Sequence, residues 1–115
     1  MLLTVDIGNT NIVVGAFLGE RLVASWRAST VAEKTADEYA VLIQGFLERR
    51  GMERASVEGV CVSSVVPSLV ATFRELGTSY FDAPTVTVQS TGKCGVAILA
   101  DNPKEVGADR IVNAL

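Results

Sequence analysis

Over the first thirty residues the apolar positions come in three short blocks separated by turn-forming residues. Residues 1–5 are apolar apart from Thr4 and are halted by Asp6, and 11–18 form a second run rich in Ile and Val. Gly8 and Asn9 between the two runs predict a β-hairpin. Gly19-Glu20 supplies the next turn, after which Leu22, Ala24 and Trp26 alternate with Val23, Ser25 and Arg27, as in a strand with one buried face. The expected opening is therefore a three-stranded antiparallel meander.

From there the period changes from two to 3.6. Thr35-Ala36-Asp37-Glu38 reads as a capping box, in which the Thr35 hydroxyl takes the Glu38 N–H and the Glu38 carboxylate reaches back to the Thr35 N–H. Tyr39, Leu42, Ile43, Phe46 and Leu47 then follow helical spacing, and Arg49, Arg50 and Gly51 suit a helix end. Residues 57–64 predict a fourth strand. Pro67 suits the first position of a second helix with Leu69, Phe73, Leu76 and Tyr80 on one face, and 84–88 predict a fifth strand. Asn102-Pro103-Lys104-Glu105 reads as a further helix start, whose apolar residues Ile111, Val112, Ala114 and Leu115 run up to the last residue. Strands joined through helices need parallel neighbours, so the expected fold class is α/β: a mixed five-stranded sheet, the antiparallel meander first and parallel strands after it.

At 115 residues the chain suits one packed core. An apolar helix reaching the last residue suggests a piece of a longer protein, or a surface that another chain covers. Ten Lys and Arg against thirteen Asp and Glu give a net charge of -3, which disfavours nucleic acid as a partner. The absence of histidine removes Ser-His-Asp and Cys-His catalysis and His-ligated metals, leaving carboxylates or lysines for proton transfer near neutral pH. Cys61 and Cys94 form no CxxC pair, and no signal peptide precedes the first strand, so reduced thiols and a cytoplasmic location are expected. Cys61 reads as a small buried hydrophobe, Cys94 as a loop thiol, and Trp26 and Phe46 as core residues. No apolar stretch is long enough to span a membrane, because Asp6, Glu20, Arg21 and Arg27 interrupt the most apolar region.

Two segments could carry chemistry. Asp6, Ile7, Gly8, Asn9, Thr10 and Asn11 place a carboxylate at the end of a buried strand, then a glycine and small polar donors. That suits a phosphate with its Mg²⁺; it is also what a polar hairpin turn requires for conformational reasons alone. In Glu105-Val106-Gly107-Ala108-Asp109-Arg110, Asp109 could accept a proton from a substrate hydroxyl and Arg110 could grip a carboxylate. The alternative is that Asp109 complements a helix dipole and Arg110 forms a surface ion pair. Ser63-Ser64-Val65-Val66-Pro67 joins the fourth strand to the second helix, where capping is the expected task and anion binding the alternative.

Asp-Ile-Gly-Asn-Thr-Asn at the first hairpin, the meander, Ser-Ser-Val-Val-Pro, and Asn-Pro-Lys-Glu-Val-Gly-Ala-Asp-Arg-Ile together make the whole chain closely resemble the type III pantothenate kinases. The resemblance implies the acetate and sugar kinase, heat-shock ATPase and actin superfold, with two ribonuclease-H-like domains around the nucleotide. Residues 1–115 then correspond to the N-terminal domain, and the second, nucleotide-completing domain is absent. The implied function is ATP-dependent phosphorylation of pantothenate to 4'-phosphopantothenate, the first step of coenzyme A biosynthesis. By the same resemblance Asp6 helps to hold Mg²⁺ and the phosphates, and Ile7, Gly8, Asn9, Thr10 and Asn11 form the first phosphate loop. Asp109 is implied as general base, with Gly107, Ala108 and Arg110 at the pantothenate.

Ala100 departs from the family pattern, since many relatives carry an aromatic residue there against the pantothenate. The second phosphate motif, the adenosine-binding glycines and the acidic ligand of a monovalent cation, K⁺ or NH₄⁺, lie beyond Leu115 in the family. Family members resemble one another in forming homodimers whose pantothenate site the partner closes. A lone first domain is expected to be inactive, which leaves a subunit of a split kinase that associates with a second-domain chain, or a non-catalytic ligand-binding or regulatory module, as alternatives.

Overall fold

The computed structural model describes residues 1–88. Its elements are β1 (Leu2–Ile7), β2 (Asn11–Leu18), β3 (Arg21–Ser29), α1 (Ala36–Arg49), a 3₁₀ turn (Arg54–Ser56), β4 (Gly59–Ser64), α2 (Pro67–Tyr80) and β5 (Thr85–Val88). The strand order is β3-β2-β1-β4-β5, with β1 antiparallel to β2 and parallel to β4, and β4 parallel to β5. The expected mixed sheet is therefore present, with β1 at its centre.

One face of the sheet is covered by both helices. Leu3, Val5 and Ile7 of β1, Ile12 and Val14 of β2, and Val60 and Val62 of β4 share a single core with Tyr39, Ile43 and Leu47 of α1 and Leu69, Phe73 and Leu76 of α2. The Tyr39 and Phe73 rings meet at 4.9 Å and a 42° tilt where α1 crosses α2. The Tyr39 hydroxyl donates to the Val31 carbonyl (2.8 Å) and accepts from the Val31 N–H (2.9 Å), so a mostly apolar side chain also pins the loop after β3. Tyr80 at the end of α2 donates to Asp37 at the start of α1. That bond to a carboxylate is the main reason the Tyr80 hydroxyl titrates above its usual range.

Both helix ends at α1 follow the expectation. Thr35 and Glu38 form the capping box, and Gly51 adopts φ +69 just past the Arg50 cap, a backbone state that glycine enters without steric cost.

Several expectations are corrected. Asp6 does not end β1: it lies inside the strand, paired with Val13 and Ser63, because its side chain faces away from the helices and is exposed. Leu22 is not on the buried face. The β2–β3 register shifts from Ala16↔Ala24 to Phe17↔Leu22, so Val23 is an extra residue of a bulge, which turns Val23 toward the core and leaves Leu22 55% exposed. Trp26 and Phe46 are half-buried and stack on each other, with centroids 5.5 Å apart, at the rim of the core. The fourth strand begins at Gly59, since residues 54–56 are taken by the 3₁₀ turn, and the fifth begins at Thr85. Cys61 is fully buried as expected, whereas Cys94 and the helix expected from Asn102 lie outside the described residues.

The face opposite the helices carries Leu2, Thr4 and Asp6 of β1, Val13, Gly15 and Phe17 of β2, Ser25 and Arg27 of β3, Cys61 and Ser63 of β4, and Val86 and Val88 of β5. Gly15 is required there, because a Cβ would stand 2.8 Å from the Thr4 hydroxyl and 3.2 Å from Leu22. Among the described residues no helix is long and apolar enough to cross a membrane.

Candidate functional site

The carboxyl end of the central strand is where the sequence places its first cluster of polar groups, and the fold explains why they converge. β1 is hydrogen-bonded on both sides, so the turn that follows it, Gly8-Asn9-Thr10-Asn11, rises from a central strand held on both flanks. The Gly8 N–H donates to the Asn11 carbonyl at 2.9 Å and closes the turn. A Cβ on residue 8 would sit 3.2 Å from that same carbonyl, so the close approach favours glycine.

The turn is braced from the side by the end of the meander. The Thr30 hydroxyl donates to the Gly8 carbonyl (2.8 Å) and the Thr30 N–H to the Thr10 carbonyl (2.9 Å). On the other flank the Val65 N–H donates to the Ile7 carbonyl (3.0 Å), tying the start of the β4–α2 connection to the root of the turn. These contacts consume carbonyl acceptors. Among the described residues the N–H groups of Asn9 and Thr10 have no acceptor, and the side chains of Asn9, Thr10 and Asn11 are exposed. A tight turn with the Gly8, Thr10 and Asn11 carbonyls engaged and two N–H groups without an acceptor is suited to an anion.

Asp6 projects beside this turn on the face opposite the helices, exposed, with Ser63 in register on β4. The side chain of Ile7 behaves differently: it is fully buried in the core, so only its backbone belongs to the turn. Ser64 does not cap α2. Its Oγ accepts from the Val66 N–H and donates to the Val66 carbonyl, both at 2.9 Å, forming a local turn before the helix, and Val66 takes the cap position without a side-chain bond. The two-residue spacing from Ser64 to Val66 lets the hydroxyl close this shorter ring. Ala100, Gly107, Ala108, Asp109 and Arg110 lie outside the described residues.

Sequence reasoning did not single out Thr30, because nothing in its neighbours signals that β3 will return it to the first turn. Nor did it mark Ser63 as the neighbour of Asp6, a pairing that arises only from the parallel β1–β4 register.

Metal fit is limited by donor number. Among the described residues no three His, Cys, Asp or Glu side chains converge. A single exposed carboxylate beside N–H groups that lack an acceptor would fit Mg²⁺, since that ion takes one or two carboxylates and completes its shell with phosphate oxygens and water.

The solved ROK hexokinase of Thermus thermophilus superposes with a TM-score of 0.56 at 17% identity over 88% of this chain and 38% of that chain, a likeness of fold. The type III pantothenate kinase of Streptomyces griseus is 51% identical over 120 residues, covering 100% of this chain and 45% of that protein. That of Dehalococcoides mccartyi is 49% identical over 113 residues, covering 98% and 43%. The chain thus spans somewhat under half the length of these curated relatives. The family model "Type III pantothenate kinase" matches residues 2–115, nearly the entire sequence. The chain belongs to the type III pantothenate kinase family.

Proposed function

We propose that this chain is the first of two domains of an ATP-dependent pantothenate kinase that makes 4'-phosphopantothenate, the first step of coenzyme A biosynthesis. The observation that carries the reading is the turn after β1: N–H groups at Asn9 and Thr10 without an acceptor among the described residues, exposed Asn and Thr side chains, and the exposed Asp6 carboxylate near the carboxyl end of the central strand. Curated relatives of that name at about half identity support it.

In this reading the turn binds the nucleotide phosphates through its backbone donors and through Asn9, Thr10 and Asn11. Asp6 faces the Mg²⁺ that accompanies the nucleotide, directly or through water. When bound, that ion neutralises charge on the phosphate oxygens. Asp109 takes the proton from the primary hydroxyl of pantothenate as its oxygen bonds to the γ-phosphorus. The bond from that phosphorus to the β–γ bridging oxygen breaks, and ADP leaves with the electron pair. Gly107, Ala108 and Arg110 hold the substrate, Arg110 through its carboxylate, and Ala100 leaves one wall of that pocket smaller than an aromatic residue would. Phosphoryl transfer depends on positioning and charge neutralisation, so half of the phosphate contacts cannot support it. A second domain supplies the remainder, together with the acidic ligand of a monovalent cation, and a partner subunit closes the pantothenate site.

The test is an assay of ATP-dependent phosphorylation of pantothenate by this chain alone and by the complete two-domain kinase that carries it. The complete kinase is expected to turn over and the 115-residue chain to be inactive. In the complete kinase, Asp109→Asn should lower kcat by about 10²–10⁴, the range for a positioned general base, while pantothenate affinity measured by calorimetry stays the same. Turnover by the chain alone would overturn the two-domain reading, and wild-type kcat in Asp109→Asn would remove Asp109 as the base.

A further inference from the structure

Among the described residues, the face of the sheet opposite the helices is neutral or acidic except at one place. Row by row across it, Ser25, Gly15, Thr4, Cys61 and Val86 lie side by side, and the next row toward the phosphate turn is Arg27, Val13, Asp6, Ser63 and Val88. Among the described residues Arg27 is the one cation on this face. It is exposed, and among the described residues it forms neither an ion pair nor a hydrogen bond. Two strand spacings, about 10 Å, separate its Cα from that of Asp6, with only Val13 between them. Two residues further along β3, Ser29 pairs with Asn11, the last residue of the turn. Lys34, the other cation near this end of the sheet, is engaged elsewhere, its ammonium 5.5 Å over the Tyr39 ring.

We propose that Arg27 is a phosphate-binding residue: its guanidinium reaches across Val13 to the terminal phosphoryl group of a nucleotide seated on the Asp6–Asn11 turn. The inference rests on the phosphate-loop reading above and adds to it a residue from a different strand.

Its chemical reason is charge. A nucleoside triphosphate brings more negative charge than one divalent ion cancels, and Asp6 adds a further carboxylate. The turn offers neutral donors only. A guanidinium on the same face holds the outermost phosphoryl oxygens with two parallel N–H donors at a distance a long side chain can span. Arg27, Val13 and Asp6 are all exposed, so the row the guanidinium crosses is open to a ligand. Because Arg27 addresses the outermost phosphoryl group, it should distinguish triphosphate from diphosphate.

The experiment uses the complete kinase with Arg27→Gln and Arg27→Lys, measuring steady-state kinetics and calorimetric binding of ATP and of ADP. Arg27→Gln is expected to lower kcat/KM for ATP by about 10–100-fold, the size of one charge-assisted hydrogen bond, and to weaken ATP binding while ADP binding and the KM for pantothenate stay unchanged. Arg27→Lys should fall between Arg27→Gln and wild type, keeping the charge without the fork. Wild-type kinetics in Arg27→Gln would overturn the proposal. So would equal losses toward ATP, ADP and pantothenate with a lowered melting temperature in both variants, which is the signature of a structural residue. If the wild-type complete kinase phosphorylates no pantothenate, it is the functional reading that fails, and the ATP-against-ADP comparison still decides Arg27 by itself.

Discussion

Asp6 is a charged residue inside an otherwise apolar strand, and its tolerance there has a simple cause: it faces away from the helices, where water can solvate it. In the complete kinase Asp6→Asn keeps the shape and removes the charge. The Mg²⁺ concentration giving half-maximal rate should rise by about 10–100-fold, as for loss of a residue supporting a metal, with the KM for pantothenate unchanged; a Mg²⁺ titration at saturating substrate checks this. The polar cluster from Asp6 to Asn11 was legible in the sequence because its residues are contiguous and each has a local reason to be there. Thr30 and Arg27 were not, since their relation to that cluster exists only after β3 has folded back along β2.

Elements whose limits are set by local chemistry were equally legible. The Thr35–Glu38 capping box, the left-handed Gly51 and Pro67 at the start of α2 each act within a few residues, and the structure has all three. The β3 bulge has no such signal, because strict alternation from Leu22 to Trp26 looks like an unbroken strand and the misfit resides in the pairing with β2. A second element-scale constraint is Gly77, on the buried side of α2 where it crosses β5. A Cβ on residue 77 would meet the Thr85 hydroxyl, stand 3.0 Å from the Thr85 Cβ and 3.3 Å from its Cγ2. Gly77→Ala should therefore destabilise the protein by about 1–3 kcal/mol despite the better helix propensity of alanine, because the Thr85 side chain already fills that gap. Urea denaturation should show the midpoint falling, and Thr85→Ala in the same chain should restore part of it.

For the whole molecule, the order β3-β2-β1-β4-β5 makes the strand that comes first in the sequence the middle of the sheet. β2, its neighbour on one side, arrives within the next dozen residues, and β4 arrives only after α1 has crossed the sheet. The sequence implied a mixed sheet through its crossovers, whereas the side-by-side rows on the face opposite the helices follow from registers that no local pattern states. That centrality also divides the molecule in time. Amide hydrogens of β1, bonded on both flanks, should exchange with solvent only at the rate of global unfolding, while β3, at the sheet's margin, should open in smaller fluctuations and exchange faster. The Asp6 carboxylate is thus rooted in the slowest part of the protein and the Arg27 guanidinium in one of the fastest. Adding ATP to the complete kinase should slow exchange in β3 far more than in β1, an asymmetry readable by mass spectrometry; equal protection of both strands would mean that the two sides of this surface move as one body.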